Sequence, residues 1–183
     1  ESVNMSFIDS FTGEVAGEVK NVKNSFSVKN ISEGSYNVSV DYRDYKTDIN
    51  GLNITENTTG IVNMDSISSS NAPSPDAETR VRGLGVETLT DVEDGSITFS
   101  YPADGDFSAG ELKVARCPEY DYSAIKCDGD FEVYDPSDED INRVNNTVTV
   151  DVPGFSSFTL YVPEDEGQQQ EEDPTDTNPS GGD

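Results

Sequence analysis

The most strand-like passage of the chain reads Thr147-Val-Thr-Val-Asp-Val-Pro-Gly-Phe-Ser-Ser-Phe-Thr-Leu-Tyr-Val162. Its first six residues alternate a polar side chain with valine. The run from Ser157 onward alternates in the same way, with Phe158, Leu160 and Val162 as the apolar members. A period of two is typical of strands that bury one face. The passage therefore predicts two consecutive strands.

Pro153-Gly154 separates these two strands and favours a type II turn, which suits a tight hairpin poorly. Tight pairing would place Ser157 beside the valines and leave Phe158 on the opposite face. Two arrangements remain. One is a bulge at 155–157, and the other is a corner that sends the two strands to opposite sheets of a sandwich. We favour the corner.

The segment Val-Pro-Gly-Phe-Ser-Ser-Phe-Thr-Leu-Tyr-Val at 152–162 resembles the closing strand of modules in archaeal secreted and cell-surface proteins. The resemblance covers roughly residues 95–163 and implies a structural module without a known reaction. Gly154-Phe155-Ser156 is also similar to the His-Phe-Ser strand of self-cleaving sandwich domains, in which a histidine activates the serine. Because the chain contains no histidine, we expect neither self-cleavage nor any other catalytic residue of the Ser-His-Asp type.

A second resemblance lies nearer the start of the chain. Glu33-Gly-Ser-Tyr-Asn-Val-Ser-Val40, followed by Asp41-Tyr-Arg-Asp-Tyr-Lys-Thr47, resembles the carboxypeptidase regulatory-like module. That family implies a transthyretin-like or Ig-like sandwich over most of residues 1–67, with a spacer or adhesive role. The family has a Gly-Tyr pair where this chain has Asp44 before Tyr45.

Short alternating runs separated by turn residues continue through the chain and predict an all-β fold. We expect two Ig-like or transthyretin-like β-sandwich domains, at 1–67 and 78–163. Residues 68–77 are small and polar with two prolines, which predicts a flexible linker. Residues 164–183 carry eight acids and no base, which predicts a disordered acidic tail.

The formal net charge is −26, from 37 acidic and 11 basic residues. Nucleic acid and anionic membrane surfaces are therefore not expected as partners. Such acidity indicates either a salt-loving source or simply a solvated acidic surface. There is no run of 18 apolar residues and no signal sequence after Glu1. We interpret the chain as a mature or excised ectodomain that lies outside the cell, without membrane insertion of its own.

Cys117 and Cys127 are the only cysteines, and without histidine they do not form a metal site. A disulfide in an oxidising compartment is the favoured interpretation, and two free buried thiols are the alternative. The loop between them carries Tyr120 and Tyr122. These tyrosines are candidates for a contact surface for a sugar or a protein, or else they pack locally within the loop.

Asparagine sequons of the Asn-x-Ser/Thr type are candidates for glycosylation. They lie at Asn4, Asn30, Asn37, Asn53, Asn57 and Asn145. The alternation places Asn4, Asn37 and Asn53 on the polar faces of their strands, where a glycan would not enter the core.

Calcium is the one cofactor that the sequence suggests, through acidic turns rich in oxygen ligands. The candidates are Asp135, Asp138, Glu139 and Asp140, with a further pair at Asp104 and Asp106. Neither run has EF-hand spacing, so solvated turns are the favoured interpretation and no metal site is expected.

These observations predict a non-catalytic structural or adhesion module of an archaeal-type cell-surface protein. Its expected partners are other surface proteins or glycans. One alternative is a carbohydrate-binding accessory module of a secreted enzyme. The other is a subunit of an extracellular filament or lattice that self-associates through strand edges.

Overall fold

The computed structural model describes residues 3–22, 31–55, 62–75, 77–88, 92, 94–121, 123–124 and 126–164. Within these ranges the chain is almost all β with antiparallel pairing, which confirms the predicted class. The described helix is a single 3-10 turn, Ala109–Glu111. In chain order the strands are β1 (Val3–Asp9), β2 (Val15–Val22), β3 (Gly34–Tyr42), β4 (Tyr45–Ile54), β5 (Val62–Ile67), β6 (Ala77–Thr88), β7 (Asp94–Ser100), β8 (Lys113–Cys117), β9 (Tyr120–Asp121), β10 (Lys126–Cys127), β11 (Glu132–Tyr134), β12 (Ile141–Asn142), β13 (Thr147–Val152) and β14 (Ser157–Pro163).

The strands form two large sheets and one small hairpin. The seven-stranded sheet has the order β12-β13-β7-β4-β3-β1-β2, and the five-stranded sheet has the order β11-β8-β14-β6-β5. The hairpin consists of β9 and β10. Inward-facing residues of both large sheets belong to one apolar cluster, so the two sheets pack face to face.

The strand pairing crosses the predicted boundary between residues 1–67 and 78–163. β4 pairs with β7 in the seven-stranded sheet, and β5 pairs with β6 across the predicted linker. The two segments therefore contribute strands to the same two sheets, which differs from the prediction of two self-contained sandwiches. Pairing between distant strands leaves no signature in local alternation, so the sequence did not reveal it.

The predicted corner at Pro153-Gly154 is confirmed. β13 belongs to the seven-stranded sheet and β14 to the five-stranded sheet. Val150 and Leu160, one from each strand, nevertheless lie in the same core cluster. The corner is tight, because a Cβ atom at Gly154 would lie 3.2 Å from the guanidinium of Arg116.

The inner face of the seven-stranded sheet carries two apolar clusters. One contains Ile97, Phe99 and the valines of β13, and faces the five-stranded sheet. The other contains side chains of β1, β3 and β4, with Phe7 fully buried. Met64 and Phe155 pack against both clusters and so connect the two parts of the core.

Part of the predicted linker packs against the five-stranded sheet. Ala72 is only 2% exposed, and its side chain lies over Gly83 of β6. The Thr159 hydroxyl of β14 donates a hydrogen bond to the carbonyl of Pro73. This packed arrangement differs from the predicted flexible linker. The segment can dock because the residues on the outer faces of β6 and β14 are small there.

Gly95 in β7 is predicted to be intolerant of any side chain. A Cβ atom there would overlap the Asp48 carbonyl oxygen and the Phe155 ring. Because the obstacle includes backbone, we expect Gly95→Ala to lower the free energy of unfolding by about 1–3 kcal/mol, measured by urea denaturation. The matched control is Gly110→Ala, where the nearest atom is 3.8 Å away. Equal stabilities of the two variants would contradict this account of the core.

Candidate functional site

A cleft of about 830 Å³ opens between the two sheets. One wall is the turn between β3 and β4 in the seven-stranded sheet, and the other is formed by β5, the residues just after it, and β6. Its polar lining includes the hydroxyl side chains of Ser66, Ser68 and Ser69. Pockets of this size hold small ligands in proteins, which makes the cleft the candidate binding site.

Arg82 supplies one cationic group of the cleft. Its side chain is one-third exposed, and its Nη2 atom lies 3.6 Å from a carboxylate oxygen of Asp44. That separation exceeds hydrogen-bond length. The Nη1 atom donates a long hydrogen bond of 3.4 Å to the Val81 carbonyl, and no described residue hydrogen-bonds to the buried Nε atom. The guanidinium therefore lacks the close bidentate acceptor that arginine favours.

Arg43 supplies the second cationic group, from an unusual backbone position. It has φ 57°, in the left-handed region, and it is one of two non-glycine residues with positive φ in the described chain. That conformation costs an ordinary residue about 1 kcal/mol. The guanidinium carbon lies 5.1 Å from the centre of the Tyr42 ring, within the range of a cation–π contact.

Tyr45 also lines the cleft and joins the two sheets. Its hydroxyl donates to the Gly83 carbonyl of the facing sheet at 2.8 Å. Its ring packs edge-on against Phe99, with the ring centres 5.8 Å apart. Burial raises the pKa of Tyr45, and the Ser66 hydrogen bond and the Arg82 charge oppose that rise. Because the pKa is raised, the Tyr45 hydroxyl keeps its proton at neutral pH and can donate to the Gly83 carbonyl.

The charges lining the cleft balance. Arg43 and Arg82 stand against Asp41 and Asp44, in a chain whose formal net charge is −26. The lining thus offers guanidinium donors, carboxylate acceptors and hydroxyl groups without a large excess of either charge. A ligand rich in hydroxyl groups matches that combination of donors and acceptors.

Sequence reasoning did not single out either arginine. They lie almost forty positions apart in the chain and line one cleft only because the β3–β4 turn and β6 belong to facing sheets. The sequence feature nearest to the arginines was Asp44, which stands where the carboxypeptidase regulatory-like motif has glycine. That departure marked the turn as unusual.

The predicted disulfide is present between Cys117 and Cys127, with their Cα atoms 5.8 Å apart. It joins the end of β8 to the β9–β10 hairpin. Tyr120 lies on β9 and is partly buried, and burial raises its pKa. Tyr122 lies outside the described residues. The proposed tyrosine contact surface therefore stays a prediction.

Four of the six sequons fall within the described chain. Asn53 and Asn145 are exposed, and Asn4 and Asn37 are partly exposed. Asn37 also accepts a hydrogen bond from the Gly51 amide, and Asn4 lines the cleft. The predicted outward orientation on the strands is thus compatible with glycosylation, which stays a prediction. Asn30 and Asn57 lie outside the described residues.

The acidic side chains proposed as calcium ligands bond to separate protein partners. Asp135 forms an ion pair with Lys113 at 2.9 Å, and Asp138 forms one with Arg143 at 2.8 Å. Asp140 accepts hydrogen bonds from Ser137. In the described part of the chain, no group of three acidic, cysteine or histidine side chains converges on a possible metal position.

Gly154-Phe155-Ser156 has structural contacts. The Ser156 hydroxyl donates to the Pro118 carbonyl at 3.2 Å, and its own carbonyl accepts from the Val86 amide at 2.7 Å. Phe155 lies against Gly95 and bridges the two core clusters. The serine thus fixes the loop after β8 to the corner.

No match was found when the chain was compared with protein-family models, with curated proteins and with solved structures. Among the residues that the structure describes, no helix is of sufficient length and hydrophobicity to span a bilayer.

Removing the disulfide is expected to destabilise the fold without changing the cleft. For the Cys117→Ala/Cys127→Ala variant, the chain-entropy model predicts a loss of about 2.5–3 kcal/mol in the free energy of unfolding. Urea denaturation of oxidised protein, reduced protein and the variant measures it. Reduced wild type and variant should agree. An oxidised protein no more stable than the variant would contradict a structural role for the bond.

Tyr45→Phe is expected to cost about 1 kcal/mol at neutral pH, because the Gly83 carbonyl loses its buried donor. The raised pKa means that folding favours the protonated tyrosine. This contribution is complete below the unfolded-state pKa of about 10 and is lost as pH rises through the folded value. The stability difference between wild type and variant should therefore narrow at alkaline pH. A difference that widens there would contradict the assignment.

Proposed function

We propose that this chain is a non-catalytic structural or adhesion module of an extracellular cell-surface protein. The observation that carries the proposal is the Cys117–Cys127 disulfide, which links β8 to the neighbouring hairpin. Such bonds persist mainly in oxidising compartments outside the cytosol. The resemblances to surface-protein modules at 1–67 and 95–163 support the same role.

An adhesive role is supported by the turn between β1 and β2. Phe11 lies at the tip of this turn and is 96% exposed. The turn is nevertheless ordered, because an Asp9 carboxylate oxygen accepts hydrogen bonds from the Phe11 and Thr12 amides. These bonds hold the pKa of Asp9 below its ordinary value. An aromatic side chain presented on a fixed turn is suited to insertion into a pocket of a partner.

A second candidate function is carbohydrate binding by an accessory module. The observation that favours it is the cleft, whose hydroxyl, carboxylate and guanidinium groups match the hydroxyl groups of sugars. A glycan array probed with the purified chain tests this candidate. Specific binding would support it, and a blank array would remove it while leaving the surface-module proposal in place.

The filament alternative receives less support from the described edge strands. β11 and β12 are three and two residues long, and β2 shows two register irregularities against β1. Short and bulged edges are devices that hinder pairing between molecules. β5 is regular against β6 over six residues. Self-association through strand edges stays a prediction.

The surface location is tested on intact cells of the source. We expect a membrane-impermeant amine reagent to label exposed lysines such as Lys20 and Lys126, with a cytosolic protein of the same cells as the unlabelled control. We also expect Cys117 and Cys127 to resist alkylation until a reductant is added. Labelling only after cell lysis, together with freely alkylated cysteines, would refute the proposal.

A further inference from the structure

We propose that the cleft between the β3–β4 turn and the β5–β6 edge binds an acidic saccharide, with the sugar carboxylate held by Arg43 and Arg82. This inference rests on the second candidate function, carbohydrate binding, and names its ligand class. It goes beyond that function by assigning the carboxylate to two specific guanidinium groups.

Arg82 has the capacity to accept such a ligand. Its contacts to the protein are long: 3.6 Å to Asp44 and 3.4 Å to the Val81 carbonyl. A guanidinium binds a carboxylate best through two parallel N–H donors at hydrogen-bond distance. With one-third of the side chain exposed in the cleft, a ligand carboxylate supplies the close planar acceptor that Asp44 does not.

Arg43 lines the same cleft although its backbone conformation is strained for a residue with a side chain. Glycine would occupy φ 57° without strain, yet the position carries a long cationic side chain. The guanidinium carbon lies 5.1 Å from the centre of the Tyr42 ring, and this cation–π contact helps to orient the side chain. A strained residue with a directed charged group is a feature of binding sites.

The charge balance selects the kind of anion. Asp41 and Asp44 share the cleft with the two arginines, so a phosphate or a polyanion would meet carboxylates as well as guanidinium groups. A ligand with one carboxylate per sugar and many hydroxyl groups satisfies both sets. Its hydroxyls donate to the aspartates and exchange hydrogen bonds with Ser66, Ser68 and Ser69.

The test uses the full chain and a panel of uronic-acid disaccharides, each paired with its carboxyl-reduced neutral counterpart. Binding is measured by calorimetry at a fixed ionic strength of about 0.15 M, where long-range repulsion between charges is screened. We expect the acidic sugar to bind at least about tenfold more tightly than its neutral counterpart, as for a charged hydrogen-bonded pair.

Three variants assign the effect to the arginines. Arg82→Gln should weaken binding of the acidic sugar about ten- to a hundredfold and weaken binding of the neutral counterpart by a much smaller factor. Arg43→Gly should also weaken it while keeping or raising the thermal midpoint, because glycine relieves the backbone strain. The matched control is Arg143→Gln, which removes the same charge from an exposed ion pair outside the cleft and should bind as wild type.

Each outcome decides a different point. Preference for the acidic sugar that is lost in Arg82→Gln but kept in Arg143→Gln supports the inference. Equal binding of acidic and neutral sugars, or binding unaffected by both cleft variants, overturns the carboxylate assignment and leaves carbohydrate binding intact. Binding of no sugar overturns the inference and the second candidate function together, without bearing on the surface-module proposal.

Discussion

The antiparallel pairing of β4 with β7 holds the two halves of the chain together. Residues 45–50 of β4 pair with residues 94–99 of β7. The Asn50 side-chain amide donates to Asp94 at 2.6 Å at one end of the ladder. At the other end the Tyr45 hydroxyl reaches the facing sheet through Gly83. The cleft depends on this pairing, because its wall at Arg43 and Asp44 is the turn that leads into β4.

The sequence predicted those strands whose apolar residues alternate cleanly. β1, β3, β7, β13 and β14 belong to this group, and the corner at Pro153-Gly154 followed from a mismatch of parity between β13 and β14. β14 is more deeply buried than predicted. Thr159 is fully buried on its outer face, because the segment after β5 docks there. A polar residue that is covered by another segment has no signature in local alternation.

β2 and β4 were harder to predict, for identifiable reasons. The partner of Phe7 on β2 is Gly17, which contributes no side chain to the apolar pattern. β4 places Thr47 on its buried face, fully inaccessible to solvent, and bends at Gly51 with φ 65°. Polar and glycine residues at inward positions hid the central strand from sequence reasoning, and with it the pairing that unites the two predicted domains. The cleft was hidden because its two arginines lie on facing sheets, and the pairing of those sheets was not predicted.

The acidity of the chain bears on which ligand charge the proposed binding cleft would accept. Charges on the rest of the molecule repel any anion that approaches, and the penalty grows with the charge of the ligand. In the proposed complex, close contact with the arginines would stabilise a single carboxylate, whereas the other charges of a polyanion would lie outside these contacts. Salt reduces the difference in repulsion between ligands of low and high charge, because the screening length falls to about 3 Å at 1 M. Close contacts inside the cleft are screened much less. The proposed preference for a ligand with one charge and many hydroxyl groups should therefore be strongest where the salt concentration is low.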